Sequence, residues 1–168
     1  FLCELIFSAD RSYMAEGEFE DFDNKEASIV LSNSNFGRFL MSNDMSRLDT
    51  RFIGLPDQLL LTKQNQSEYI LAKEAYELGL MTFIYDDIDW DDEIRLFLEE
   101  RSSFSPDSMV GMEANLRFPG KETMETKIFG RLTAWQNWIF QRPSAVGEEG
   151  ALKKYGTGNK GMYTKERT

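Results

Sequence analysis

The sequence predicts an α/β chain in which a few strands stand among helices and helices alone follow them. Two observations carry this. Apolar residues recur at helical spacing through 1–9, 42–53, 67–78, 90–101 and 122–140, whereas only 11–14, 29–31 and 80–85 read as extended runs. So few strands cannot make a sheet of their own, and the sheet they belong to is expected mostly upstream. The chain also opens on Phe1 within an apolar run, as if an element were already under way. It is therefore read as the C-terminal piece of a longer protein, although 168 residues suffice for one domain with a core.

In the first segment Leu2, Leu5, Ile6 and Ala9 lie at helical spacing; Asp10 breaks the pattern and 11–14 reads as a short strand. The acidic stretch 15–28 reads as loop. Ile29-Val30-Leu31 reads as a strand, and Ser32 to Asn35 with Gly37 as turn chemistry. A helix is expected over 42–53, with Met41, Met45, Leu48 and Phe52 on one face and Gly54 and Pro56 ending it. Asp57 should begin a short helix to Thr62. Ser67 is read as the N-cap of a helix to Leu78, with Gly79 just past its end. Leu80 to Tyr85 then reads as a buried strand.

Beyond this point the pattern is helical. Asp89 should cap a helix from Trp90 to about Arg101, with Asp91, Asp92 and Glu93 in its first turn, where the helix dipole favours anions. Ser105-Pro106 should open another helix to about Arg117. A long helix is expected from Glu122 to Phe140, striped by Met124, Ile128, Leu132, Trp135 and Ile139 and stopped by Pro143. The stretch from Ser144 onward is rich in Gly and Lys and reads as a tail.

Composition excludes several kinds of chemistry. There is no histidine, so Ser-His-Asp triads, Cys-His pairs and HExxH zinc sites are ruled out within these residues. What remains is chemistry by positioned carboxylates and oxyanion stabilisation, or none. Nineteen basic residues against 29 acidic ones give a net charge of -10, which argues against a nucleic-acid or anionic-membrane partner. The single cysteine, Cys3, cannot form an internal disulfide and fits a reducing, cytoplasmic setting. No stretch approaches the roughly 20 apolar residues that span a membrane.

Two segments carry a family resemblance. Ala72, Ala75, Gly79 and Leu80 resemble the A-x-x-A-x-x-x-G-L-V segment of the crotonase (enoyl-CoA hydratase/isomerase) superfamily. Earlier, Cys3-Glu4-Leu5 with Ala9-Asp10-Arg11 resembles its G-C-E-L…C-D segment. A closer resemblance, over nearly the whole chain, is to the benzoyl-CoA-dihydrodiol lyase family. It rests on Ala9 to Met14, Asn35-Phe36-Gly37, Ser46-Arg47-Leu48, Asp86 to Trp90, Met112 to Phe118, the Trp-bearing run from Glu122 to Pro143, and Tyr155 to Gly158.

The resemblance implies a crotonase-like fold, built of ββα units with a helical C-terminal region. Residues 1–88 would be the C-terminal part of the core, 89–143 the helical region and 144–168 a Gly/Lys-rich tail. The implied activity is that of a lyase in aerobic aromatic catabolism: ring opening of 2,3-epoxybenzoyl-CoA, or its dihydrodiol, with hydration and release of formate. The substrate would be an acyl-CoA thioester; no metal and no separate cofactor is implied, and the full-length protein would be a homo-oligomer. These 168 residues alone are expected to be inactive. Two alternatives stay open: another crotonase-type hydratase or isomerase, and a non-catalytic helical assembly module.

The candidate catalytic residues are Glu4, which the resemblance implies, and Glu20 and Asn35, which it does not. Glu4 stands where the hydratases of the superfamily carry the first of two glutamates, and it would pass a proton between water and the thioester-activated ring; the plainer reading is an ordinary polar helix residue. The position of the second glutamate falls near Asn33, which is not an acid. Glu18 or Glu20 could replace it, unless both belong to a solvated loop. Asn33 and Asn35 could hold a water, or simply form the turn. Cys3 reads as a small buried residue rather than a nucleophile. Arg47 and Arg51 read as partners of a helix or a carboxylate rather than of a CoA phosphate. Trp135 and Trp138 read as packing residues, and Lys153, Lys154 and Lys160 as a solvated tail.

Overall fold

The computed structural model describes residues 1–19, 25–117, 120 and 122–164. The chain divides into two compact units, residues 1–97 and 98–168. Helix α5 (Trp90–Ser102) spans the division.

The first unit is a mixed α/β body. It comprises α1 (Cys3–Phe7), β1 (Tyr13–Ala15), β2 (Ser28–Ile29), a 3-10 turn (Asn33–Phe36), α2 (Arg47–Arg51), α3 (Pro56–Gln64), β3 (Ile70–Leu71), α4 (Ala72–Glu77) and β4 (Phe83–Tyr85). β1 and β4 pair in parallel, Tyr13 opposite Phe83 and Ala15 opposite Tyr85. β2 and β3 pair antiparallel, Ile29 opposite Ile70. Just before the parallel pair, the Ser12 N–H donates to Thr82 Oγ1 at 3.1 Å and the Phe83 N–H to the Ser12 carbonyl at 3.0 Å, which sets the register. The core is a single cluster that includes Phe7, Met14, Leu31, Leu48, Phe52, Ile70, Ala75, Leu78 and Leu80.

Several boundaries differ from expectation, each for a local reason. The helix predicted over 42–53 begins only at Arg47. Ser46 and Asp49 form a capping box there, and Asp44 just before it has a positive φ of 60°, which no helix accommodates. Asp57 does not begin α3; Pro56 occupies the first helical position, where its missing N–H costs nothing. Ser67 is not an N-cap: its φ is 71°, its N–H donates to the Leu31 carbonyl at 2.9 Å, and Ile70–Leu71 then pairs with β2 before α4 starts. Strand pairing has overridden a local cap signal. The predicted strand Leu80–Tyr85 is regular only from Phe83, and that at 29–31 only over Ser28–Ile29.

Ala72 and Ala75 are buried on α4, as their spacing predicts for close packing. Gly79 follows the helix at φ 74°, the left-handed conformation that ends it. A Cβ there would lie 3.3 Å from Cε1 of Phe52. The last carbonyls of this turn are taken by side chains: Arg51 Nε donates to the Gly79 carbonyl at 2.6 Å and Gln58 Nε2 to the Leu78 carbonyl at 2.8 Å. We expect Gly79→Ala to destabilise the protein by about 1–2 kcal/mol, from left-handed backbone strain plus contact with Phe52. A chemical-denaturation midpoint unchanged from wild type would contradict this.

The second unit is helical. α6 (Pro106–Arg117) begins as predicted, with the Ser108 N–H on Ser105 Oγ. The helix predicted from Glu122 to Phe140 is helical over 124–139 but not uniform. Thr126–Leu132 is a π-helix that runs on into α7 (Thr133–Ile139). The cause is visible at Thr133, whose N–H and hydroxyl both bond the Ile128 carbonyl, five residues back. α6 and α7 meet closely at Gly111, where a Cβ would sit 3.0 Å from Ile139 Cδ1. Arg131 closes the end of α6, donating to the Asn115 carbonyl at 2.8 Å. Two short helices, α8 (Pro143–Val146) and α9 (Ala151–Lys154), lie in and around the Gly- and Lys-rich stretch. Among the described residues no helix is long and apolar enough to cross a membrane.

Candidate active site

α1 presents its faces in an unexpected sense. Glu4 and Phe7 are its buried residues, whereas Leu2 and Leu5 are 73% and 61% exposed. Glu4 is thus on the buried side of α1, together with Phe7. It points to the inside of the unit and is only 6% exposed.

A buried carboxyl needs partners, and two other elements supply them. Asn35, in the 3-10 turn, donates from Nδ2 to Glu4 Oε1 at 2.7 Å. Arg47, the first residue of α2, donates from Nη1 to Glu4 Oε2 at 3.0 Å. Both carboxyl oxygens act as acceptors, the role an ionised carboxylate fills. Asn35 is itself held. Its Oδ1 accepts from the Ser32 N–H at 2.9 Å and the Ser32 hydroxyl at 3.3 Å, which leaves only its NH₂ to face Glu4. Arg47 is fixed through its helix start: the Asp49 N–H donates to Ser46 Oγ at 3.0 Å, and Ser46 Oγ donates to Asp49 Oδ2 at 2.6 Å.

Two of the three predicted site residues, Glu4 and Asn35, thus touch although 31 positions separate them. The third, Glu20, lies outside the described residues. Glu18 and Asn33 are exposed. Asn35 lies in the 3-10 turn, as the turn reading has it, and directs one N–H of its amide to Glu4. Arg47 pairs with a carboxylate, as read, and sequence reasoning missed only which one. The signals for its placement were present in Ser32-x-x-Asn35 and Ser46-x-x-Asp49, both spaced as capping boxes.

The remaining candidates have structural partners. Cys3 is partly buried, packed against the core, with its Sγ 3.5 Å from the Val30 carbonyl. Arg51 is committed to Gly79, and burial holds its guanidinium pKa below the ordinary value. Trp135 and Trp138 pack edge to face at 5.4 Å. Lys154 pairs with Glu149 at 2.8 Å, while Lys153 and Lys160 are exposed. Among the described residues no three His, Cys, Asp or Glu side chains group as a metal site.

What the geometry can do is limited and specific. It holds one carboxylate in one orientation, with a neutral amide on one oxygen and a cation on the other. Such a group can exchange a proton with a bound water or substrate through its remaining lone pairs. The chain is 51% identical over 164 residues to the benzoyl-CoA-dihydrodiol lyase of Aromatoleum evansii, which bears out the resemblance drawn from its residues. The match takes in 96% of this chain and 28% of that protein, so the chain spans little more than a quarter of the length of the curated relative it matches. No protein-family model matches the chain.

Proposed function

We propose that this chain belongs to a benzoyl-CoA-dihydrodiol lyase of crotonase-like fold and works as part of a longer protein. The reaction is the ring opening of 2,3-epoxybenzoyl-CoA, or its dihydrodiol, with hydration and release of formate. It leaves an open-chain semialdehyde still joined to coenzyme A. The observation that carries this reading is the 51% identity spread over 96% of the chain. The buried Glu4 carboxylate supports it, because a carboxylate held by two donors is a group able to take and give a proton.

In this reading Glu4 is the catalytic residue and moves a proton between water and the ring. Asn35 and Arg47 hold its two oxygens. Glu20 is the proposed second acid. The thioester carbonyl would be polarised by backbone N–H groups in the longer protein, because enolate charge develops on that oxygen as the ring reacts. The substrate brings coenzyme A with it, and the reading calls for no further cofactor. The longer protein would act in the cytoplasm as a homo-oligomer.

The test is turnover by the full-length protein. Epoxybenzoyl-CoA should be consumed with one formate released per ring opened, and crotonyl-CoA should be hydrated far more slowly. Preferential hydration of crotonyl-CoA without formate would assign the protein to the hydratases instead. Absence of any thioester binding would leave the helical assembly module as the reading.

A further inference from the structure

We propose that Arg47 is a positioning residue for Glu4, acting on the reaction only through the carboxylate it holds. This inference rests on the reading of Glu4 as the proton-transfer group. Three observations carry it.

The first is that the two bonds to Glu4 come from opposite oxygens and from separate elements. Asn35 holds Oε1 from the 3-10 turn, and Arg47 holds Oε2 from α2. With one bond the carboxylate could still swing about its last torsion; with both it has one orientation. Proton transfer depends on such placement, and a 1 Å error costs on the order of 100-fold.

The second is that each donor is fixed from behind. Ser32 occupies Asn35 Oδ1 with two donors. The Ser46–Asp49 box sets where α2 begins, and so where Arg47 stands. Ser46 is 1% exposed, so this box is part of the interior and not a solvated helix end.

The third is that Arg47 reaches inward. Its Nη1 contacts Glu4 and lies 3.5 Å from the Phe39 carbonyl. A guanidinium turned to a buried carboxylate and a main-chain carbonyl is oriented for the interior, not for a phosphate in solvent. Arginine suits the task better than lysine, because its planar fork is organised before the bond forms.

The test uses the full-length protein carrying Arg47→Met, Arg47→Lys, Glu4→Gln and the pair Glu4→Gln/Arg47→Met, with kcat and KM for the ring-opening substrate measured separately. Arg47→Met is expected to lower kcat by about 10- to 100-fold, with KM within about twofold of wild type. Arg47→Lys should recover part of this loss, with kcat between that of Arg47→Met and that of wild type. The double variant should be no slower than Glu4→Gln alone, since a residue acting through Glu4 has nothing left to act on.

A raised KM at unchanged kcat in Arg47→Met would overturn the proposal and assign Arg47 to substrate binding. Multiplicative losses in the double variant would overturn it too, because Arg47 would then act independently. If Arg47→Met does not fold, Arg47→Lys decides, and wild-type kcat in that variant sinks the idea. The two failures are distinct: a slow Glu4→Gln with a fully active Arg47→Met rejects the positioning role alone. A fully active Glu4→Gln rejects the catalytic reading of Glu4, and the positioning role with it.

Discussion

Replacing Glu4 with glutamine in the full-length protein is expected to slow ring opening by roughly 100-fold or more, the usual contribution of a positioned general acid or base. The exchange is nearly isosteric, but it has two consequences that must be kept apart. Glutamine keeps an oxygen that can accept from Asn35 Nδ2, so that side of the arrangement survives. Its NH₂ would then face Arg47 Nη1, donor against donor, where a carboxylate oxygen now accepts at 3.0 Å. Some stability is therefore lost along with the proton carrier. Thermal unfolding measured beside the kinetics separates the two effects. A protein that remains folded at the assay temperature, with kcat reduced and KM little changed, shows loss of a step in the reaction rather than of binding. Glu4→Asp adds a second check. It keeps the charge but draws the carboxylate back by one methylene from both donors, so a large loss there would come from placement. An unchanged rate in Glu4→Gln would remove Glu4 from the mechanism.

How much of this was legible in the sequence depends on the range of the interactions involved. Gly79, the Ala72/Ala75 pair, the start of α5 at Trp90 and the opening of α6 at Pro106 rest on neighbours within a turn, and each stands where the pattern puts it. Where a distant partner competes, the local rule loses. Ser67 carries a cap signal, but its N–H goes to Leu31 and the next residues pair with β2. The π turn before α7 depends on Thr133 reaching five residues back, a spacing that a 3.6-residue period does not contain. In the candidate site, the sequence points to Glu4 and Asn35 separately, but nothing local says that they meet. α1 has only five residues, too few for its apolar spacing to decide which face turns inward. Phe7 packs into the core, and Glu4, one turn before it on the same face, meets its two donors there, one 31 and the other 43 positions away.

A large loss of stability in the first unit is expected from Leu48→Ala, about 3 kcal/mol. Leu48 is fully buried, a member of the cluster that holds Phe7, Phe52, Ile70, Ala75 and Leu80. Truncation removes most of the side chain and leaves a cavity that close-packed neighbours fill only in part. The cost thus exceeds the transfer energy of the missing methylenes. The position matters for a second reason. α2 is a single short helix of five residues, which has no stability of its own in water. It is held by the capping box at one end and by Leu48 and Phe52 in the core, and Arg47 stands between the two anchors. Loosening Leu48 therefore loosens the group that holds Glu4. Two measurements should move together: the denaturant midpoint of the full-length protein falls, and kcat drops in the variant even where it is still folded. Leu48→Met supplies the control. It conserves volume, should cost under about 1.5 kcal/mol and should keep kcat near wild type. If Leu48→Ala lost stability but kept full kcat, α2 would owe its position to the Ser46–Asp49 box alone, and Arg47 would stay in place without support from the core.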